Sequence, residues 1–164
     1  MASDGMSFDV SGMDEVLGRI DAVDYDIKRK GGRFALRKAA QVLRNQAREN
    51  AERVDDPDTP EDISKNIVER WSGRTFKKTG DMKFRVGVMG GAGGRKSASA
   101  QSALPGGDTR HFMCLEFGTE DAPAQPIFRP VAGQAGQQAV DEFAKQYDKA
   151  VARALKRAKK RAGK

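Results

Sequence analysis

His111-Phe112-Met113-Cys114-Leu115-Glu116-Phe117-Gly118-Thr119, then a short polar and Pro/Ala-rich loop, then Pro126-Ile127-Phe128-Arg129-Pro130-Val131: the reading of this stretch decides the fold. Residues 111–117 are apolar on both faces until Glu116, the character of a strand buried on both sides, and they are expected to form the central strand of a sheet. Gly118 permits a positive φ, by which the chain can leave the sheet sharply, and Thr119 can satisfy backbone donors in the turn. Pro123, Pro126 and Pro130 stiffen the crossing, and Pro130 stands just before a helix onset, where a missing N–H costs nothing. Glu116 at the end of a buried strand needs a partner, because an unpaired buried carboxylate is expensive. Arg129 is the natural candidate, so the sequence predicts a Glu116–Arg129 ion pair that docks the final helix on the sheet. Its role is expected to be fold-stabilising ahead of any direct partner contact.

Upstream, Met82, Phe84, Val86 and Val88 alternate with Lys83, Arg85 and Gly87, which predicts a half-buried strand with one basic, wet face. Ile67 to Lys78 is rich in strand formers around a Ser72-Gly73 turn signal, and Ser7 to Ser11 alternates as a short strand. Met13, Val16, Leu17 and Ile20 recur at helical spacing. A longer amphipathic helix is predicted from about Tyr25 to Arg53, its narrow apolar stripe including Ala35, Ala39, Leu43, Ala47 and Ala51, with a kink or break at Gly31-Gly32. Between them, Asp55-Asp56-Pro57-Asp58-Thr59-Pro60-Glu61-Asp62 is an acidic, proline-broken loop in which Thr59 is expected to cap a single helical turn begun by Pro60. A final helix is predicted over about Ala132 to Ala162, with large apolar residues only in its first two thirds, so that the basic end 156–164 projects. Residues 90–109 hold six Gly, four Ala and three Ser with Leu104 the only large apolar side chain, and are expected to be mobile until a partner orders them.

The chain has 164 residues, 38% apolar and 32% charged, with a mean hydropathy of −0.68, which fits one domain with a small core over 1–164. No apolar run is long enough for a membrane span and the N-terminus lacks the layout of a signal peptide, so a soluble protein acting where it is made is expected. The net charge of +7 is unevenly spread. Residues 1–26 carry seven acids and one base, net −6, whereas 133–164 carry nine bases and three acids, net +6. This suits an end of the molecule that meets an acidic partner, nucleic acid or an acidic protein surface, and equally a solvated helix end whose cations stand at the negative pole of the dipole.

Catalytic patterns are missing. The single cysteine, Cys114, forbids an internal disulfide, and the single histidine, His111, leaves little for a metal site. Three apart on a strand, His111 and Cys114 would point to opposite faces, against a nucleophile pair. Gly-Gly-Arg-Lys-Ser at 93–97 does not satisfy the phosphate-binding loop pattern. Neither a cofactor nor an enzymatic activity is expected.

The Glu-Phe-Gly-Thr strand end at Glu116 to Thr119, the loop, the Pro126-Ile127-Phe128-Arg129-Pro130-Val131 block and the C-terminal helix together resemble the neck or tail-completion proteins of long-tailed bacteriophages. In that family the second block is Pro-Phe-x-Arg-Pro-Ala-like. Here one more residue separates Pro126 from Phe128, and Val131 stands where alanine is usual. Thr79-Gly80-Asp81-Met82 is similar to a Thr-Gly-x-Leu element of the family, further downstream than usual. The resemblance extends over most of the chain. It implies a structural virion protein of the neck or tail top, assembled in the host cytoplasm as a ring of six or twelve copies. Its implied partners are itself, the head–tail connector and the tail tube or tail terminator protein, with channel DNA as a further candidate and no membrane. Glu116, Phe117, Gly118, Thr119, Pro126, Phe128, Arg129 and Pro130 would be its structural motif. Arg95, Lys96 and Leu104 in the glycine-rich loop and Lys156, Arg157, Lys159, Lys160 and Arg161 on the last helix are candidate partner contacts.

The fold expected is α+β: a small, mainly antiparallel sheet of three to four strands packed by two long helices, with a long mobile glycine-rich loop. Two other functional classes stand beside the assembly reading. A basic nucleic-acid-binding module would show affinity falling steeply with salt, although the aromatics are not interleaved with the bases along the sequence. A small enzyme or regulator with a mobile glycine lid is motivated by residues 90–109 alone.

Overall fold

The structure is a computed structural model that describes residues 25–56, 58–90 and 103–162, with side chains over 29–56, 58–90 and 103–156. The expected strand at Ser7–Ser11, the short helix beginning at Met13, and Arg95 and Lys96 lie outside these residues.

The architecture is α+β. Helix α1 (Tyr25–Glu52) is followed by one helical turn, α2 (Ile63–Asn66), strand β1 (Ile67–Trp71), helix α3 (Gly73–Thr79), strand β2 (Phe84–Val88), a short helix α4 (Phe112–Phe117) and the long helix α5 (Val131–Ala162). Helix α1 passes Gly31-Gly32 without a break, so the expected interruption is absent: both glycines are buried, Gly32 against Met82 and Tyr147, and Ala35, Ala39, Ala47 and Ala51 are buried beyond them, which outweighs a glycine cost of about 1 kcal/mol each. Helix α5 is its antiparallel partner, since Asn50 bonds Gln134 near one end and Gly32 lies beside Tyr147 near the other. By helical rise, α5 draws level with Tyr25 at about residue 154 and continues past it.

β1 and β2 form a two-stranded antiparallel sheet in the register Ile67↔Val88, Glu69↔Val86 and Trp71↔Phe84. The alternating reading of 82–88 holds. The expected three to four strands reduce to two among the described residues because His111–Phe117 is not a strand. His111 O accepts Cys114 N and Leu115 N, closing a local helical turn, and Met113 and Phe117 are 37% and 63% exposed. A short apolar run does not distinguish a buried strand from a helical turn, and here local hydrogen bonds decided it. Nor does Thr59 begin a helix. Asp62 caps the turn α2, accepting from Lys65 N, while Thr59 closes a turn back onto Asp56.

The core gathers Ala47 and Ala51 at the end of α1, Ile63 and Ile67 from α2 and β1, and Ile127 and Val131 at the start of α5, with Leu43, Val86, Val88, Phe112, Leu115 and Phe128 around them. The described end of the expected mobile segment, 103–109, is built into this body. Asn66, fully buried, donates to Gly107 O and to Thr109 Oγ1 and accepts from Gly106 N, while Asp62 N bonds Gly106 O. A Cβ on Gly106 would meet Asp62 O at 1.9 Å, so glycine is required for this approach.

Candidate interaction site

Two surfaces bear on function. The first is the knot made by the two sequence blocks. Glu116, on α4 and 3% exposed, accepts Ile127 N at 2.7 Å and Phe128 N at 2.9 Å on Oε2, and Arg129 N at 3.0 Å on Oε1. Arg129 Nε lies 3.5 Å from Oε1, and the same guanidinium donates to Glu116 O. The Glu116–Arg129 pair read from the sequence is therefore present, in a setting the sequence reading missed. The carboxylate's main task is to satisfy three consecutive backbone donors that no secondary structure would pair, and it ties α4 to the entry of α5 instead of docking a helix on a strand.

The loop between the blocks is closed locally. Gly118 has φ 78° and its N–H donates to Cys114 O; a Cβ there would meet Ala124 N at 2.8 Å. Thr119 N bonds Ala122 O, Thr119 Oγ1 accepts Ala122 N, and Gln125 N returns to Leu115 O. Pro126 is exposed, whereas Pro130 O accepts Gln134 N and so opens α5. Phe128 packs inward on Phe112, with ring centroids 6.4 Å apart. Phe117 does the opposite: its exposed ring lies 5.6 Å from the Arg129 guanidinium. An exposed aromatic beside an arginine, held on a rigid knot, is the chemistry of a protein-binding anchor.

The second surface is basic and aromatic. Arg33 stacks over Trp71 at 4.4 Å and Arg29 over Phe76 at 4.5 Å, with Trp71 itself between Phe76 and Phe84 at 5.4 and 5.2 Å. An open groove of about 470 Å³ runs between Lys30, Arg33, Phe34 and Arg37 of α1 and Glu69, Trp71 and Phe84 of the sheet. Glu69 is taken internally by Arg44 at 2.7 Å and Gln41 at 3.2 Å. Burial alone would raise its pKa, but the hydrogen bonds from Gln41 and Arg44 and the arginine's charge hold it below the usual 4.5. Arg74, Lys77 and Lys78 continue the basic surface along α3. Along the sequence the aromatics are not interleaved with bases; in space they are, because α1 lays its arginines across rings carried by β1 and α3. The sequence signal that was available is Trp71-Ser72-Gly73-Arg74, an aromatic followed closely by a base at a turn.

Of the remaining expected contacts, Leu104 is half-buried in the turn whose carbonyl accepts Gly107 N. Lys156 is exposed on α5, and Arg157, Lys159, Lys160 and Arg161 continue that helix. His111 and Cys114 stand three apart on one helical turn and not on opposite strand faces; both are exposed, and no hydrogen bond among the described residues joins their side chains. Among the described residues no His/Cys/Asp/Glu cluster could hold a metal, and no helix is long and apolar enough to cross a membrane.

A sequence profile of the bacteriophage HK97 gp10-like family, described as putative tail components, matches residues 14–118, from before α1 through α4 to the glycine of the knot. The chain belongs to this family. Neither a curated protein nor a solved structure matches it. At the level the family carries, the chain is a structural component of a phage tail, a protein of the virion whose partners are other phage structural proteins. The matched span contains most of the first sequence block; the second, Pro126 to Val131, and helix α5 lie beyond it.

Proposed function

We propose that the chain is a tail-completion or neck component, copies of which form a ring joining the tail tube to the head connector. The observation that carries this reading is the knot. The two blocks that resemble neck proteins are bound into one rigid unit by Glu116, and that unit turns Phe117 and Arg129 outward. A site built for catalysis gathers polar groups in a cavity, whereas this one offers an exposed aromatic and a cation beside a small core. Family membership supports the coarser half, a tail component. The chemistry is then recognition by shape and charge. Phe117, Met113 and Arg129 meet a neighbouring subunit or connector, and the basic end of α5 meets an acidic connector surface or channel DNA.

Removal of the gene from the phage or prophage that encodes it, with the lysate viewed by negative-stain electron microscopy, tests this. Filled heads beside unattached tails, rescued by the protein supplied in trans and not by Phe117→Asp, are the expected result. Normally joined particles would overturn it, and salt-dependent DNA binding by the basic-aromatic surface would become the leading reading.

A further inference from the structure

Charge is separated along α1. The basic surface, with Arg33 and Arg37 on the first half of α1 and Arg74, Lys77 and Lys78 on α3, lies at one end of the molecule. The antiparallel course of α5 directs its own basic stretch to that same end. At the opposite end, beyond Glu52, the exposed acids Asp55, Asp56 and Asp58 stand in a loop fixed by the bonds of Asp58 N and Thr59 N to Asp56. From Arg33 to Glu52 the helix rises about 28 Å, so the acidic loop cannot fold onto its own basic surface. Among the described residues, no ion pair engages Asp55, Asp56 or Asp58, nor Arg74, Lys77 or Lys78. Among the described residues, the acids Asp55, Asp56 and Asp58 and the cations Arg74, Lys77 and Lys78 thus each have the charge the other group lacks, about a helix length apart.

We infer that the basic surface made by Arg33 and the α3 cations Arg74, Lys77 and Lys78 is the docking site for Asp55, Asp56 and Asp58 of a second copy of this chain, a head-to-tail contact. Such a contact is heterologous: each copy uses one end as donor and the other as acceptor, and successive copies close into a ring when the rotation permits. The aromatic backing matters, because Arg33, already stacked on Trp71, is held in place before the partner arrives and loses little freedom on binding. The inference deepens the ring reading above and rests on it for its biological use, though the contact stands or falls by itself.

The test is zero-length carbodiimide cross-linking of a mixture of unlabelled and nitrogen-15-labelled full-length chain, read by mass spectrometry. Expected are isotope-mixed links from Lys77 or Lys78 to Asp55, Asp56 or Asp58, at least tenfold fewer in 0.5 M NaCl, where the Debye length is about 4 Å. Asp55→Lys with Asp58→Lys, and separately Arg74→Glu with Lys77→Glu, each abolish the links and the associated oligomers; the fourfold swap on one chain restores oligomers. Links confined to acids within residues 1–24 of the same chain would overturn the proposal by giving that surface a different occupant. A chain that stays monomeric with no mixed links would overturn it as well. The wild-type cross-linking decides even if a charge variant misfolds. Mixed links found in a chain that proves dispensable for joining would leave the contact standing and remove the neck role.

Discussion

Glu116 concentrates more of the structure in one side chain than any other described residue, because three amides and a guanidinium converge on its carboxylate. Glu116→Ala leaves those amides buried without acceptors and is expected to cost about 2–4 kcal/mol, at about 1–3 kcal/mol for each unsatisfied buried group, partly recovered by water entry. Glu116→Gln keeps one acceptor oxygen and is expected to fall between. Urea unfolding measures both, and a change under about 0.5 kcal/mol for the alanine variant would contradict the assignment. Asp62 and Glu69 contribute stability that acid removes. Asp62 is opposed by its burial but held below its usual 3.8 by the Ser64 hydroxyl and by Lys65, and Glu69 lies below 4.5 for the reasons given above. A depressed folded value means that the stabilisation is present above the ordinary pKa and is lost as pH falls through the depressed one. Thermal melts should therefore drop below about pH 4.5, and Glu69→Gln should flatten that decline. An unchanged slope would deny Glu69 its part.

At the scale of elements, the long helices and the alternating strand were legible because their periodicity extends over many residues and their apolar faces are consistently buried. The segment 111–117 was not. Seven residues of apolar character fit a buried strand as well as a helical turn, and what separates them is a pair of local bonds to His111 O that no periodicity records. The mobility expected of 90–109 is not what its described end, 103–109, shows, for a related reason. Composition reports the entropy of ordering but not Asn66, whose side-chain amide, in the buried turn before β1, captures Gly106, Gly107 and Thr109. The Glu116–Arg129 pairing was legible from chemistry alone, while the amides it serves were visible only in the fold. Helix α5 makes its own prediction. Gly133 and Gly136 sit in its first turns with nothing within 4 Å of the place a Cβ would take. Gly133→Ala and Gly136→Ala are expected to stabilise by about 0.5–1 kcal/mol each, measured by denaturant midpoint. Tyr147 further along is buried with its hydroxyl unpartnered among the described residues, so Tyr147→Phe should leave stability unchanged or raise it.

For the molecule as a whole, a small core lies where the end of α1, the sheet and the start of α5 meet, with the exposed Asp55, Asp56 and Asp58 just beyond that end of α1 and Arg33, Arg74, Lys77 and Lys78 toward the other. That arrangement suits a protein whose stability comes from one region and whose contacts are made by others. The knot projects Phe117 and Arg129 from the core region, and the basic-aromatic groove lies toward the far end of α1. Membership of a tail-component family and an exposed aromatic beside an arginine are the grounds on which an assembly role is proposed. The neck ring is the specific form proposed for it. Its most direct test is a cryo-electron microscopy reconstruction of the neck of the intact phage particle. The account predicts a closed ring of this chain between the connector and the first ring of the tail tube, with Phe117 and Arg129 buried against a neighbouring protein. A reconstruction that finds the chain elsewhere in the tail, or finds that region filled by other proteins, would contradict it.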